Sequence, residues 1–215
     1  MTLTQFQQDL HELKDPAKAV ILARFFKTGK GEYGEGDQFL GITVPQIRAV
    51  VKKYHTTITL SEIKQLLHDS FHECRLASLL LLAQKFKKAS EPGQKEIVDF
   101  YLNNAKFVNN WDLVDLSSYY IVGAYMVDRP AERAKLEVLA HSLNLWERRI
   151  AIVSTFAFIR EKQFEETFKI SVILLDDKHD LIHKAVGWML REVGKKDEKA
   201  LEEFLQRYYR RMPRT

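Results

Sequence analysis

The chain has 215 residues, 46% of them hydrophobic, and a formal net charge of +4. That is enough apolar material for one sizeable core and argues against wholesale disorder. A single cysteine, Cys74, excludes an intramolecular disulfide and a multi-cysteine zinc site. The longest apolar run, residues 79–83, is far too short to cross a bilayer, and the N-terminal stretch MTLTQFQQDLHELK has no apolar signal core. A cytoplasmic protein that does not engage a membrane is expected.

Apolar residues recur at spacings of three and four, as at Ile97, Phe100 and Tyr101 or at Leu201, Phe204 and Leu205. That period predicts roughly ten to twelve helices and no sheet. In chain order, Asp15-Pro16 marks an early helix start, because proline fits the first helical turn. Residues 28–42, TGKGEYGEGDQFLGI, hold five glycines and read as the one long non-helical stretch, joining the second and third helices. Thr43, Ser61 and Ser70 are candidate N-caps, Glu91-Pro92 and Arg129-Pro130 mark further starts, and Asn144 is another cap. Residues 1–128 carry 15 basic and 15 acidic side chains, and residues 129–215 carry 18 and 14. The whole excess lies in the C-terminal part, which is compatible with a phosphate-binding face but also found in proteins that bind no nucleic acid.

Four helix starts look alike: HECRLASLLLL from His72, WDLVDLSSYYI from Trp111, WERRIAIVSTF from Trp146 and DLIHKAVGWML from Asp180. They are separated by 39, 35 and 34 residues, and each interval holds one further amphipathic helix. An alanine follows on the expected inner face at Ala77, Ala151 and Ala185. Helix pairs at this period describe an all-α solenoid of HEAT or armadillo type, against the alternative of an irregular helical bundle. A solenoid would bring equivalent helix starts together along a concave wall.

Trp111, Trp146 and Trp188 are the three tryptophans, and around them in sequence lie Asp115, Arg148, Arg149, His183, Lys184 and Arg191. Each tryptophan taken alone suits core packing. The adjacent arginines suit a solvated face with Glu147 or Glu192 as salt partners. Asp115 is different: a carboxylate among Leu113, Val114 and Leu116 needs a partner or a purpose. The loop GKGEYGEGD lacks the G-x-x-x-x-G-K-[ST] pattern, and Glu32, Glu35 and Asp37 would repel a nucleotide. His68, His72, His179 and His183 form no compact ligand set with Cys74, so no metal and no cofactor is expected.

At these residues the sequence resembles the AlkD-like DNA alkylation repair proteins, glycosylases for 3-methyladenine-type lesions built from HEAT-like repeats. RFFKTGKGEYGEGDQFLGITVP, NNWDLVD, WERRIAIV and HKAVGWMLREVGK carry the resemblance, in the right order along nearly the whole chain. It implies a single HEAT-like repeat domain over residues 1–215 with a concave DNA-binding groove. It also implies a further helix after the final RMPRT, where family members usually continue. By resemblance, Trp111, Asp115 and Trp188 form the catalytic cleft and Arg149 joins them at a neighbouring phosphate. Arg148, Lys184, Arg191, Lys27 and Lys30 are further expected DNA contacts. The implied activity is hydrolysis of the N-glycosidic bond of N3- or N7-alkylated purines in double-stranded DNA, by a monomer. The alternatives are a non-catalytic protein that binds DNA structures and a helical-repeat scaffold for a protein partner.

Overall fold

A computed structural model describes residues 3–213; Arg214 and Thr215, part of the RMPRT terminus, lie outside the described residues. Its α-helices are α1 (Leu3–His11), α2 (Pro16–Phe25), α3 (Val44–Tyr54), α4 (Leu60–Leu67), α5 (His72–Lys88), α6 (Glu91–Asn103) and α7 (Trp111–Asp115). There follow α8 (Ala124–Met126), α9 (Ala134–Ala140), α10 (Leu145–Ser154), α11 (Phe156–Arg160), α12 (Glu165–Leu174), α13 (Asp180–Lys196) and α14 (Glu198–Tyr208). No strand occurs among the described residues, where Gln38 and Phe71 make one isolated parallel bridge. The all-α class read from the apolar period holds. No helix among the described residues is long and apolar enough to cross a membrane.

Several of these helices begin where side chains satisfy the unpaired amides of a first turn. Asp15 accepts from the Lys18 amide at 3.0 Å, ahead of Pro16, and Asn144 accepts from the Trp146 amide at 2.8 Å. Thr43 donates its amide and hydroxyl to the Gln46 side chain at 2.9 and 2.6 Å. Two expected caps fall elsewhere. Ser61 lies inside α4, which is capped by Thr59 because Glu62, three residues on, completes a reciprocal box with it. Ser70 precedes α5 by two residues, and the N-cap position is taken by Phe71, whose amide is held by Asp69 at 2.9 Å.

The chain divides into two compact units, Met1–Phe100 with Phe107–Leu113, and Tyr101–Lys106 with Val114–Thr215. In the first, α5 packs against α3 and α4, and α1 against α3. In the second, α10 packs against α9, α12 and α13, and α13 also packs against α14. The repeated starts thus open α5, α7 and α13 and fall within one residue of the start of α10. Ala77, Ala151 and Ala185 are all fully buried, as the inner-face reading requires.

Two segments depart from regular helix, each for a visible reason. The helix from Trp111 stops at Asp115 and resumes as a π-helix over Tyr119–Gly123. A Cβ at Gly123 would lie 2.1 Å from the Ser154 carbonyl oxygen, so only glycine lets this backbone approach α10. The glycine-rich stretch is ordered from α5. The buried Glu73 carboxylate accepts from the amides of Leu40, Gly41 and Ile42 at 2.9, 2.8 and 3.1 Å. Gly41 sits at φ +88°, with the Asp15 carbonyl oxygen 2.0 Å from where a Cβ would be.

Candidate functional site

In the second unit, Asp115 ends α7 and meets Arg149 of α10. Arg149 Nε donates to Asp115 Oδ1 at 2.9 Å and Nη2 donates to Oδ2 at 2.7 Å, a two-pronged pair that fixes the carboxylate plane. Nη1 donates to the Leu181 carbonyl at 2.5 Å, tying the guanidinium to the start of α13. Arg149 is 5% exposed, whereas the Asp115 side chain retains 16%. The guanidinium expected at a phosphate is therefore engaged inside the protein, and what it holds is the carboxylate. Beneath, the buried Tyr101 hydroxyl hydrogen-bonds with Ser117 at 2.9 Å. Burial, reinforced by the Asp115 charge and opposed by Ser117, pushes the Tyr101 phenol up, so it stays neutral.

The other residues expected at the site divide by their surroundings. Trp146 is 7% exposed and belongs to the core, while Trp188 on α13 is half-buried. Trp188 lies 5.9 Å from the Phe156 ring, and Phe156 meets Tyr119 of the π-helix edge-on at 5.0 Å. Arg148 pairs with neither expected glutamate. Its Nε donates to Asp177 at 2.6 Å and its Nη1 to the carbonyls of Ser142 and Leu143 at 3.0 Å each. Glu147 instead accepts from the Ser142 hydroxyl, and Glu192 pairs with Lys195. Lys184 is exposed and pairs with Asp180 at 2.8 Å; Arg191 is exposed. A cavity of about 570 Å³ between α9, α12 and α14 is lined by Phe168, Lys169 and Phe204 and includes none of these residues. The geometry at Asp115 is of more chemical interest than that volume, since it presents a fixed charge at a surface.

In the first unit, half-buried Trp111 stacks on Phe26 with centroids 5.3 Å apart and 25° between planes. Phe26 stacks in turn on Phe39 at 5.2 Å, and Phe39 on His72 at 4.7 Å. His72 is buried between two carboxylates, with Nδ1 3.1 Å from Asp37 Oδ2 and Nε2 2.8 Å from Asp112 Oδ2. Arg75 donates to Asp37 at 2.5 Å and Asn110 donates to it at 3.3 Å. Burial works against a charged His72, but Asp112 first and Asp37 next outweigh it and lift its pKa to about 9. Burial also disfavours the Asp37 charge, and His72 and Arg75 nonetheless hold that carboxyl below its usual range. Lys27, at φ +53° with its ammonium 5.9 Å from the Tyr33 ring, and Lys30 are both exposed.

Of the expected residues, then, the structure joins Asp115 to Arg149, places Trp188 in an aromatic cluster of the same unit, and puts Trp111, Lys27 and Lys30 in the first unit. The sequence reading missed Tyr101, Phe156 and the Asp37–His72–Asp112 cluster. The one signal in the sequence is His72 at the first position of a repeated start. Among the described residues no group of three or more His, Cys, Asp or Glu side chains is arranged to hold a metal ion.

Fold and site together define an all-α protein of repeated helix pairs that presents a guanidinium-held carboxylate and half-buried indoles. The family model for DNA alkylation repair enzymes matches residues 6–215, and the chain belongs to that family. A solved structure described as a predicted DNA alkylation repair enzyme from Enterococcus faecalis is similar over 90% of this chain and 89% of its own. Its TM-score is 0.69 and its identity 19%, a likeness that shows the shared fold. No curated protein matches the chain.

Proposed function

We propose that this member of the DNA alkylation repair enzyme family is a monofunctional DNA glycosylase. It hydrolyses the N-glycosidic bond of N3- and N7-alkylated purines in double-stranded DNA, acting as a monomer without a cofactor. The observation that carries the reading is the Asp115 carboxylate, fixed by a buried guanidinium and still reaching the surface. A cationic purine is already a good leaving group, so a strong general acid is dispensable. What the reaction needs is stabilisation of an oxocarbenium-like sugar and a directed water, and a carboxylate near the anomeric carbon supplies both. Arg149 takes two of the roughly four acceptor sites a carboxylate offers, and its pairing sets the direction in which Asp115 acts. The quadrupole of an indole face favours a developing cation by up to about 2 kcal/mol when desolvated, the role assigned to Trp111 and Trp188. Lys184, Arg191, Lys27 and Lys30, all exposed, are assigned to the DNA backbone; Arg148, expected there as well, spends its guanidinium on Asp177 and two carbonyls and is left out of that set.

The test is release of free 3-methyladenine or 7-methylguanine from methylated DNA under single-turnover conditions, with and without Asp115→Asn. The amide keeps one acceptor for Arg149 but turns an NH₂ group toward it, so some loss of thermal stability is expected. Both proteins are therefore compared well below their melting temperatures. Release should fall by about 10²–10³-fold, the scale of removing one preorganised electrostatic group. Folded Asp115→Asn with an unchanged rate overturns the catalytic assignment. No release by the wild-type protein in large excess points instead to a DNA-binding protein without this chemistry.

A further inference from the structure

The buried Asp37–His72–Asp112 cluster has no part in the proposed reaction, and its cost in desolvation calls for a reason. Its charges cancel: two carboxylates face the imidazolium of His72 and the guanidinium of Arg75. The chain on either side of Trp111 is fastened to it. Asn110 Nδ2 donates to Asp37 while its side-chain Oδ1 accepts from the Trp111 amide at 2.8 Å, and Asp112, the residue after Trp111, takes His72 Nε2. The indole itself rests on Phe26, which lies 4.9 Å from the His72 ring. Backbone and side chain of Trp111 are thus held by one set of buried groups.

We propose that Asp37, His72 and Asp112 are positioning residues that fix the Trp111 indole for base release. The role in base release rests on the glycosylase reading; the hold on Trp111 rests on the geometry alone. An imidazolium donates at both nitrogens and so satisfies both carboxylates, whereas neutral imidazole donates at one and turns a lone pair toward the other carboxylate. The charged groups facing His72 are Asp37 from the glycine-rich loop, Asp112 from α7 and Arg75 from its own helix; neighbouring Glu73 is taken up by the loop amides. With the His72 pKa at about 9, Trp111 is locked at neutral pH and loosened in alkali.

The experiment uses the full chain with Trp146→Phe and Trp188→Phe, leaving Trp111 as the one indole. Emission and acrylamide quenching are followed from pH 6 to pH 10. The expected result is a flat response to about pH 8, then a shift in emission and increased quenching with a midpoint near 9. His72→Gln should abolish that transition and show increased quenching already at neutral pH. A flat titration, or a transition that persists in His72→Gln, overturns the proposal by excluding His72 as its source. If His72→Gln does not fold, Asp37→Asn serves in its place: it removes one carboxylate and must lower the midpoint, and an unmoved midpoint counts against the cluster. Base release is measured separately with all three tryptophans. A folded His72→Gln protein with normal single-turnover release overturns the positioning role, whereas no release by the wild type overturns the glycosylase reading and leaves the titration result standing.

Discussion

Asp112 and Asp115 leave the same five-residue helix and meet opposite kinds of partner. Asp112 faces His72, a group that titrates, inside a cluster whose four charges cancel. Asp115 faces Arg149, a group that keeps its proton at any ordinary pH, and its carboxylate retains contact with the surface. The contrast teaches what each region is suited to. A closed, charge-neutral cluster can hold a neighbour in place, and its grip depends on one proton. A carboxylate held by a guanidinium and still reaching the surface is suited to act on something outside.

The largest expected effect comes from breaking the second pair. Arg149→Ala leaves Asp115 beside a void and removes the tie to the Leu181 carbonyl. Losing one partner of a largely buried ion pair costs about 3–5 kcal/mol, and base release should fall with it because Asp115 loses its direction. Urea unfolding should give the same loss at pH 6 and pH 9. A loss that depends strongly on pH, or none at all, would erase the contrast. Arg149→Lys is the sharper version: the charge stays but one ammonium cannot match both oxygens, so stability should recover more than release does.

The first region makes the complementary forecast. His72 has a folded pKa of about 9, above its unfolded value of 6.5. Its stabilisation is therefore fully present below pH 6.5 and is lost as pH rises through 9, a total of about 3 kcal/mol. Asp37 has the opposite sense: its folded pKa is depressed, so its contribution is present at neutral pH and is lost in acid, below the ordinary carboxylate range. Denaturant midpoints at pH 6, 7.5 and 9.5 check the alkaline limb, and His72→Gln should remove its slope. A slope that survives the substitution belongs to another group.

Much of this was legible in the residues. The three- and four-residue period gave the all-α class, and the repeated starts marked α5, α7, α10 and α13, three of which bury a small alanine against their neighbours. Asp115 stood out because its neighbours are apolar, and a carboxylate there implied a partner. The resemblance placed Arg149 in the same cleft but at a phosphate, and its direct pairing with Asp115 was not legible. Arg148 and Arg149 differ by one position, and only the direction of α10 decides that one turns inward to Asp115 and the other to Asp177. The His72 cluster was hidden for a related reason: Asp37, His72 and Asp112 are 35 and 40 residues apart, and no local spacing brings them together. The close approach of Gly123 to the Ser154 carbonyl, which only glycine permits, is again a long-range fact.

The smallest effects separate the cations that face inward from those that face solvent. Arg148 spends its guanidinium on Asp177 and on two carbonyls, and its side chain is 18% exposed. Arg191, also placed on the DNA backbone by the sequence, is exposed on α13. Each phosphate neutralised by a cation releases a counterion, so the logarithm of affinity falls with the logarithm of salt in proportion to the number of such contacts. If Arg191 contacts phosphate, Arg191→Ala should flatten that slope by about one unit, weaken binding of any sequence alike, and leave the melting temperature nearly unchanged. Arg148→Ala should do the reverse: its loss frees Asp177 and lowers the melting temperature, while the salt slope stays within error of the wild type. Binding to an undamaged duplex at several salt concentrations, with melting curves on the same preparations, reads both quantities. A flattened slope in Arg148→Ala without a stability loss would mean that DNA draws this arginine out of its ion pair, and the division between inward and outward cations would then have to be redrawn around the bound state.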